Sequence, residues 1–337
     1  MDRATLADIE TFRFRDLHPG LVMGTASDRY AGWIGQIYSR ERMGKGLTRR
    51  TKTVGGKAFV EEVLPVASVQ EYFEHFGTLE LDFTFYMPLR DSGGEPTRTF
   101  HLLHTYCQHL HDGDRLVLKA PQLIFARVLY RGGRYVQNES YLNPEVFVRQ
   151  FYEPAVEVLG PWLDGIIFEQ EYQRKDSRIS PKETAAALTA FFKAIPADDR
   201  YHMELRTDAL LKGPVFEALE RYGVGQVLSH WTWLPSLSKQ FSLSGKRFFN
   251  KKSAVIRLMT PRGMRYEEAY ARAHPFNARV SGMQSPGMVQ DTIGLIQAAL
   301  GVGIGMNVII NNRAGGNAPL LAQQIARGFL ETSRETG

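Results

Sequence analysis

Two short stretches of this chain place charged side chains at alternate positions. "TLELDFTFY" (78–86) carries Glu80 and Asp82, and "YHMELRT" (201–207) carries His202, Glu204 and Arg206. Other apolar runs hold single groups of the same kinds: Lys119 in "RLVLKAP", Glu169 in "GIIFEQ", His230 in "GQVLSH" and Arg257 in "AVIRLM". Asp82, Glu169, Glu204 and His230 are candidate bases, and Tyr86, Lys119, Arg206 and Arg257 are candidates for holding an anion. A carboxylate beside Arg206 stays ionised and can abstract a proton, while Lys119 or Tyr86 can supply one. His230 titrates in a range that suits either role. The three acids and the imidazole can also ligate a divalent metal through mixed O and N donors. No H-x-x-x-H or C-x-x-C spacing accompanies them, and the nearby cations oppose a metal ion.

A fourth kind of chemistry sits in "VIINNRAGGNAP" (308–319), where an apolar run stops at Asn311 and Asn312 and a Gly315-Gly316 turn follows. Backbone amides at such a turn can cradle a phosphate, and the asparagines can bond its oxygens. The same residues can instead serve only the turn, with Asn317 capping the next helix.

These groups need strands to position them. Eight apolar runs alternate with helix-sized segments: 21–25, 78–86, 115–121, 165–170, 201–207, 225–230, 254–259 and 306–312. "SPKETAAALTAFFKAI" shows a helix start at Ser180 with Pro181 and Glu183 behind it. The expected fold is α/β, a single (β/α)8 TIM-like barrel with a long basic insertion between strands one and two. Residues 1–20 form an N-terminal segment, 21–332 the barrel, and 333–337 a tail. Residues 38–66 and 236–253 are expected as inserted, mobile surface loops. Strand alternation then sends Leu79, Leu81, Phe83 and Phe85 toward the helices, and Glu80, Asp82, Thr84 and Tyr86 toward the lumen. It sends His202, Glu204 and Arg206 inward as well. Inward charges are stable only when paired, so an ionic lattice is expected. Residues late in strands belong to the carboxyl-terminal mouth, where barrel enzymes keep their chemistry.

Composition narrows the class. At 337 residues with 43% apolar and 23% charged side chains, the chain can bury one large core. The single Cys107 excludes an intramolecular disulfide and fits a reducing cytoplasm; among apolar helix neighbours it reads as a packed thiol. No apolar stretch is long enough to span a bilayer. The net charge of +5 permits anionic partners. Histidines 101, 104, 109 and 111 read as a solvated helix face. The 38–57 segment holds seven Lys/Arg and one Glu, and 239–252 adds Lys239, Lys246, Arg247, Lys251 and Lys252 with Phe248 and Phe249. Basic loops with aromatics suit a phosphate backbone and stacked bases, or simply a solvated surface.

The ordered motifs resemble the YecE-like family, number seventy-two among the domains of unknown function. "LELDFTFY" followed by Pro88 matches its second strand at Glu80, Thr84, Phe85 and Tyr86, with Asp82 in an Asn position. "LVLKAP", Glu204-x-Arg206, Arg257 with Tyr266 after it, and "NNRAGGNAP" match in order. The resemblance implies a TIM-like barrel and implies no particular reaction. Three stretches depart from it: the opening is "GTASDRYAGW" with Trp33 displaced, the basic insertion at 38–66 is unusual, and the fourth strand ends "FEQEYQ", so Glu169 is not carried by the resemblance.

The expected function is binding of an anionic, phosphate-bearing ligand at the mouth, with hydrolytic or nuclease-like action on a phosphorylated or nucleic-acid substrate. Arg206, Arg257 and Lys119 hold the anion in this reading, and a divalent metal remains a possible cofactor. The first rival is a metal-independent sugar or sugar-phosphate isomerase using a carboxylate and His230. The second is a non-catalytic barrel whose basic loops contact nucleic acid. The sequence names neither metal nor oligomeric state.

Overall fold

A computed structural model describes residues 5–176 and 178–335. Eight parallel strands close into a barrel: β1 (Leu21–Ala26), β2 (Thr78–Leu81), β3 (Leu116–Lys119), β4 (Leu163–Gln170), β5 (Tyr201–Leu205), β6 (Gly225–His230), β7 (Ser253–Leu258) and β8 (Gly305–Ile310). β1 pairs with β8 through Leu21↔Met306 to Thr25↔Ile310 and with β2 through Gly24↔Thr78, which seals the ring. The TIM-like barrel and all eight strand positions agree with the sequence pattern.

Alternation divides the apolar side chains between two cores. Leu79, Leu81, Met203, Leu205, Ile256 and Val308 pack outward beneath the helices. Ala26, Val117, Ile167, Val227, Val255, Met259 and Ile309 fill the lumen. The helix Pro181–Ala194 starts as its residues dictate: Ser180 accepts from the Glu183 amide, and Glu183 reaches back to the Ser180 amide. The N-terminal helix Leu6–Glu10 docks on the last helix, Ala318–Glu335, where Gln323 Nε2 donates to the Ile9 carbonyl at 3.1 Å. That last helix carries residues 333–335 of the expected tail; residues 336–337 lie outside the described residues. No helix among the described residues is long and apolar enough to cross a membrane.

Three expectations change. First, the second strand stops at Leu81, and Phe83–Phe85 form a 3-10 turn. Thr84 Oγ1 donates to the carbonyls of Leu81 (3.2 Å) and Lys119 (2.7 Å), which curls the chain over the end of β3. Alternation therefore ends at Leu81, and Phe85 lies over the Lys119 ammonium at 3.9 Å instead of facing the helices.

Second, the 38–66 insertion is not a loop. It contains an antiparallel hairpin, Thr48–Val54 with Lys57–Val63, turned by Gly55 and Gly56 at φ of 58° and 77°. Two consecutive positive φ values are what a two-residue hairpin turn requires. Phe59 packs edge-on against Tyr270 (5.1 Å), and the Val60 carbonyl lies 3.0 Å from His274 Nε2, which pins the hairpin to the helix Tyr266–Ala273 and its end. A second hairpin, Val128–Arg131 with Arg134–Gln137, turns on Gly132-Gly133 in the same way.

Third, residues 236–253 hold the helix Leu237–Leu243 and the return to β7. Gln240 is buried and bonds the backbone of Ser229 through both ends of its amide. Phe249 packs on Phe216 (5.5 Å) and Phe248 on Phe241 (4.7 Å), so neither is a stacking platform. Lys251 and Lys252 immediately precede β7 and so lie at the barrel's amino-terminal end, opposite the mouth.

Candidate functional site at the barrel mouth

The lumen charges form one closed lattice. Arg257 donates from Nε to Glu80 Oε2 (2.7 Å), from Nη2 to Glu80 Oε1 (2.5 Å), and from Nη1 to Glu204. Arg206 reaches Glu169 at 2.7 Å and Glu204 at 3.3 Å; Lys119 reaches Glu169 at 2.5 Å. Three carboxylates meet three cations, and Glu80, Glu204 and Arg257 are at most 1% exposed. Burial raises the Glu169 carboxyl, but Arg206, Lys119 and Arg257 override it and hold the group down at about 2. Burial likewise opposes the Arg257 cation, and Glu204, Glu80 and Glu169 keep it firmly protonated. Lys119, Arg206 and Arg257 are thus all paired with glutamates, and of the two arginines only Arg206 keeps a buried donor, Nε, without a partner.

His202 sits lower in the lumen, its ring nitrogens 3.0 Å from the Arg200 carbonyl and 3.2 Å from that of Ser253, a structural position. His230 does not join the lattice. It shares the face of Leu228, which packs in the outer core, and not that of Val227, which packs in the lumen. Burial, then Arg262, depresses its pKa to about 4, so it is a neutral imidazole among outer groups. Asp82, Glu169, Glu204 and His230, which could have ligated a metal between them, do not converge. Among the described residues no three His, Cys, Asp or Glu side chains are arranged to hold one.

The asparagine–glycine turn is closed on itself. The amides of Gly315 and Gly316 both donate to the Asn312 carbonyl, at 3.3 and 2.7 Å. Asn312 Oδ1 accepts from Trp33 Nε1 (3.0 Å) and the Ala318 amide (2.8 Å), and Asn311 Oδ1 accepts from the Arg313 amide (3.0 Å). Gly316 has φ +103° and lies against the backbone of Ala278. These four residues shape a turn, and the two glycine amides are not free for a phosphate.

Above the lattice, cations lie on aromatic rings. Arg206 stacks on Trp231 (4.2 Å) and Arg313 on Tyr266 (4.4 Å), while Lys119 lies under Phe85. Arg206 Nε, Arg313 Nε and Trp231 Nε1 are buried donors with no hydrogen-bond partner. A cavity of about 1160 Å³ lies between the barrel and the 48–63 hairpin, and Arg206, Trp231 and Arg313 are not among the residues that line it. Asp82 lines it, accepting from Ser27 Oγ at 3.2 Å, and so does Tyr86, which is 68% exposed.

Asp28 lines the same cavity and was not singled out from sequence. It leaves β1 through Ser27, a non-glycine residue at φ +72° held by its own amide on the Glu80 carbonyl (3.0 Å) and by Thr25 Oγ1 on its carbonyl (2.7 Å). Such a backbone is uncommon outside glycine and marks a turn held for a purpose. Asp28 Oδ1 accepts from Tyr106 at 3.0 Å, and Oδ2 is buried with no partner. Burial outweighs the Tyr106 hydrogen bond and lifts its pKa to about 6. Asp28 and Arg313 carried no distinctive spacing; Arg313 stood inside the Asn-Asn-Arg motif, read only for its asparagines and glycines.

Cys107 is half-buried with Sγ 3.6 Å from the Val158 carbonyl, and burial pushes the thiol up to about 11. His101, His104 and His111 are exposed.

The family model described as "Protein of unknown function DUF72" matches residues 22–336. A solved structure of such a protein from Enterococcus faecalis V583 is 15% identical, with a TM-score of 0.55, covering 92% of this chain and 95% of that one. One from Thermotoga maritima MSB8 is 16% identical, with a TM-score of 0.55, covering 92% and 99%. At such identity the likeness is one of fold. Among curated proteins none matches this chain. Over nearly its whole length, and by the same motif order that the lumen residues follow, the chain belongs to the DUF72 family.

Proposed function

We propose that the protein binds a phosphate-bearing ligand at the barrel mouth and hydrolyses it. The observation that carries this reading is the pair of guanidinium groups, Arg206 and Arg313, each laid on an aromatic ring with a buried, unpartnered Nε. A buried donor without an acceptor costs about 1–3 kcal/mol, and a phosphate oxygen is the acceptor a guanidinium fits best. In this reading Arg206, through its unpartnered Nε, and Arg313 hold the anion, while Lys119 and Arg257 serve the lattice.

Asp82 and Asp28 supply the chemistry in this reading. Two carboxyls in contrasting environments are the usual acid–base division. Asp82 takes a proton from water as its oxygen attacks phosphorus. The bond to the leaving oxygen breaks, and Asp28, protonated through the weakly acidic range, gives its proton to that oxygen. The isomerase reading loses support because His230 faces away from the lumen.

The test is a titration of tryptophan fluorescence with inorganic pyrophosphate, followed by a cleavage assay on bis(p-nitrophenyl) phosphate. Arg313→Gln and Arg206→Gln are expected to weaken binding about tenfold or more. Asp82→Asn is expected to abolish cleavage and keep binding. Binding by both arginine variants as tight as wild type sinks the reading, and binding with no turnover leaves the non-catalytic barrel.

A further inference from the structure

The aromatic side chains left in solvent are not scattered over the surface. Among the described residues the exposed ones are Tyr86, Tyr130, Tyr135, Tyr172 and Trp233, between 46% and 74% exposed. Each follows the carboxyl end of a strand and precedes the helix that returns the chain: Tyr86 after β2, Tyr130 and Tyr135 on the hairpin after β3, Tyr172 after β4 and Trp233 after β6. All five therefore sit on the mouth face. They fall within the sector from β2 to β6, with none after β5, and none follows β7, β8 or β1, the side on which the 48–63 hairpin is pinned.

Two pairs form platforms. Tyr130 and Tyr135 are opposite residues of the second hairpin with ring centroids 5.2 Å apart. Tyr172 and Trp233 join the loops after β4 and β6 at 6.0 Å, and Trp231, two residues before Trp233, carries the Arg206 guanidinium. The Tyr130–Tyr135 pair also serves its own hairpin as a cross-strand contact, but five solvent-exposed rings gathered on the mouth face, two of them joining separate loops, make a surface that an outside partner can use. Basic side chains accompany them. Arg127 and Arg134 flank the first pair; Lys175 and Arg178 follow Tyr172, with Glu171 and Asp176 beside them and Arg178 at 3.9 Å from Asp208. With strands about 4.8 Å apart, the β2-to-β6 arc is roughly 20 Å long at the barrel wall.

We infer that this arc is a track for single-stranded nucleic acid, its bases stacked on the Tyr130–Tyr135 and Tyr172–Trp233 platforms and its phosphates directed to the mouth arginines. The inference rests on the phosphate-binding reading and names its ligand class. A neutral polysaccharide also stacks on aromatic rings, but the cations beside these platforms favour a polyanion with flat faces. Duplex DNA hides the base faces that the platforms would meet.

The experiment measures anisotropy of a fluorescein-labelled dT12 strand, its duplex with dA12, and labelled heparin, with pyrophosphate titrated separately. Expected are dT12 binding at least tenfold tighter than duplex or heparin, weakening as salt rises. Tyr130→Ser with Tyr135→Ser, both on an exposed hairpin, should weaken dT12 about tenfold or more and leave pyrophosphate binding unchanged. Heparin or duplex binding as tightly as dT12, or a tyrosine variant with unaltered dT12 affinity, overturns the track and leaves the phosphate site standing. A preference for a neutral oligosaccharide overturns it in favour of sugar stacking. Loss of pyrophosphate binding in the wild type removes the phosphate reading itself.

Discussion

Arg257, on β7, crosses the lumen to meet Glu80, on β2, through two hydrogen bonds of 2.7 and 2.5 Å. Both side chains are at most 1% exposed, so neither finds water if the other is removed. Breaking such a pair leaves an uncompensated buried charge, a loss of about 3–5 kcal/mol. Glu80→Ala is expected to lower the unfolding free energy by about that much in urea denaturation. Arg257→Ala should cost more, since it strands Glu80 and leaves Glu204 with only its longer contact to Arg206 at 3.3 Å. Losses under about 1 kcal/mol for both would show that the lattice does not hold the barrel together.

Acid should attack the lattice through Glu169. Its folded pKa of about 2 lies below the ordinary 4.5, so its contribution is present above pH 4.5 and is lost as pH falls toward 2. The difference corresponds to about 3 kcal/mol. Wild type should lose stability steeply across that window, and Glu169→Gln should start lower and decline less. Parallel pH curves for the two proteins would contradict the pairing with Arg206 and Lys119.

Asp28 should behave in the opposite sense. Its folded pKa of about 6 lies above the ordinary 3.8, so the folded state binds the extra proton. Stability contributed by the protonated carboxyl is present below pH 3.8 and is lost as pH rises through 6. Asp28→Asn keeps an acceptor for Tyr106 and removes the buried charge. It is expected to raise Tm at pH 8, leave it unchanged at pH 3.5, and abolish cleavage at both. A gain in stability coupled to loss of activity is the mark of a strained functional group. Lower Tm at pH 8 would assign Asp28 a structural role.

The barrel was legible because eight apolar runs of the right length alternate with helix-sized segments, and because Glu80, Glu204 and Arg206 alternate with Leu79, Met203 and Leu205. The lattice followed from the same period. What failed did so for local reasons. Alternation was carried past Leu81, where the Thr84 hydroxyl curls the chain, so strand parity does not place Asp82 and Tyr86, which line the cavity under the 48–63 hairpin. His230 was judged by its pKa range and not by its parity with Leu228. The hairpins were announced by Gly55-Gly56 and Gly132-Gly133 but overridden by the basic composition around them. Asp28 and Arg313 become visible only when the fold shows a buried polar atom with nothing to bond.

Arg313 offers the sharpest separation of ligand binding from folding. Its guanidinium lies on Tyr266 and takes no part in the Glu80–Glu169–Glu204 lattice. Arg313→Lys keeps the charge but loses the planar donor fork and its stacking, which a phosphate reader needs. It is expected to weaken pyrophosphate binding about tenfold while Tm moves by no more than about 2 °C. Arg257→Lys should do the reverse, lowering Tm by several degrees with little change in the affinity of the protein that stays folded. Calorimetry and titration of the two variants side by side decide it. If Arg313→Lys binds as wild type does while Arg257→Lys does not, the ligand lies in the lumen lattice and not on the mouth arginines.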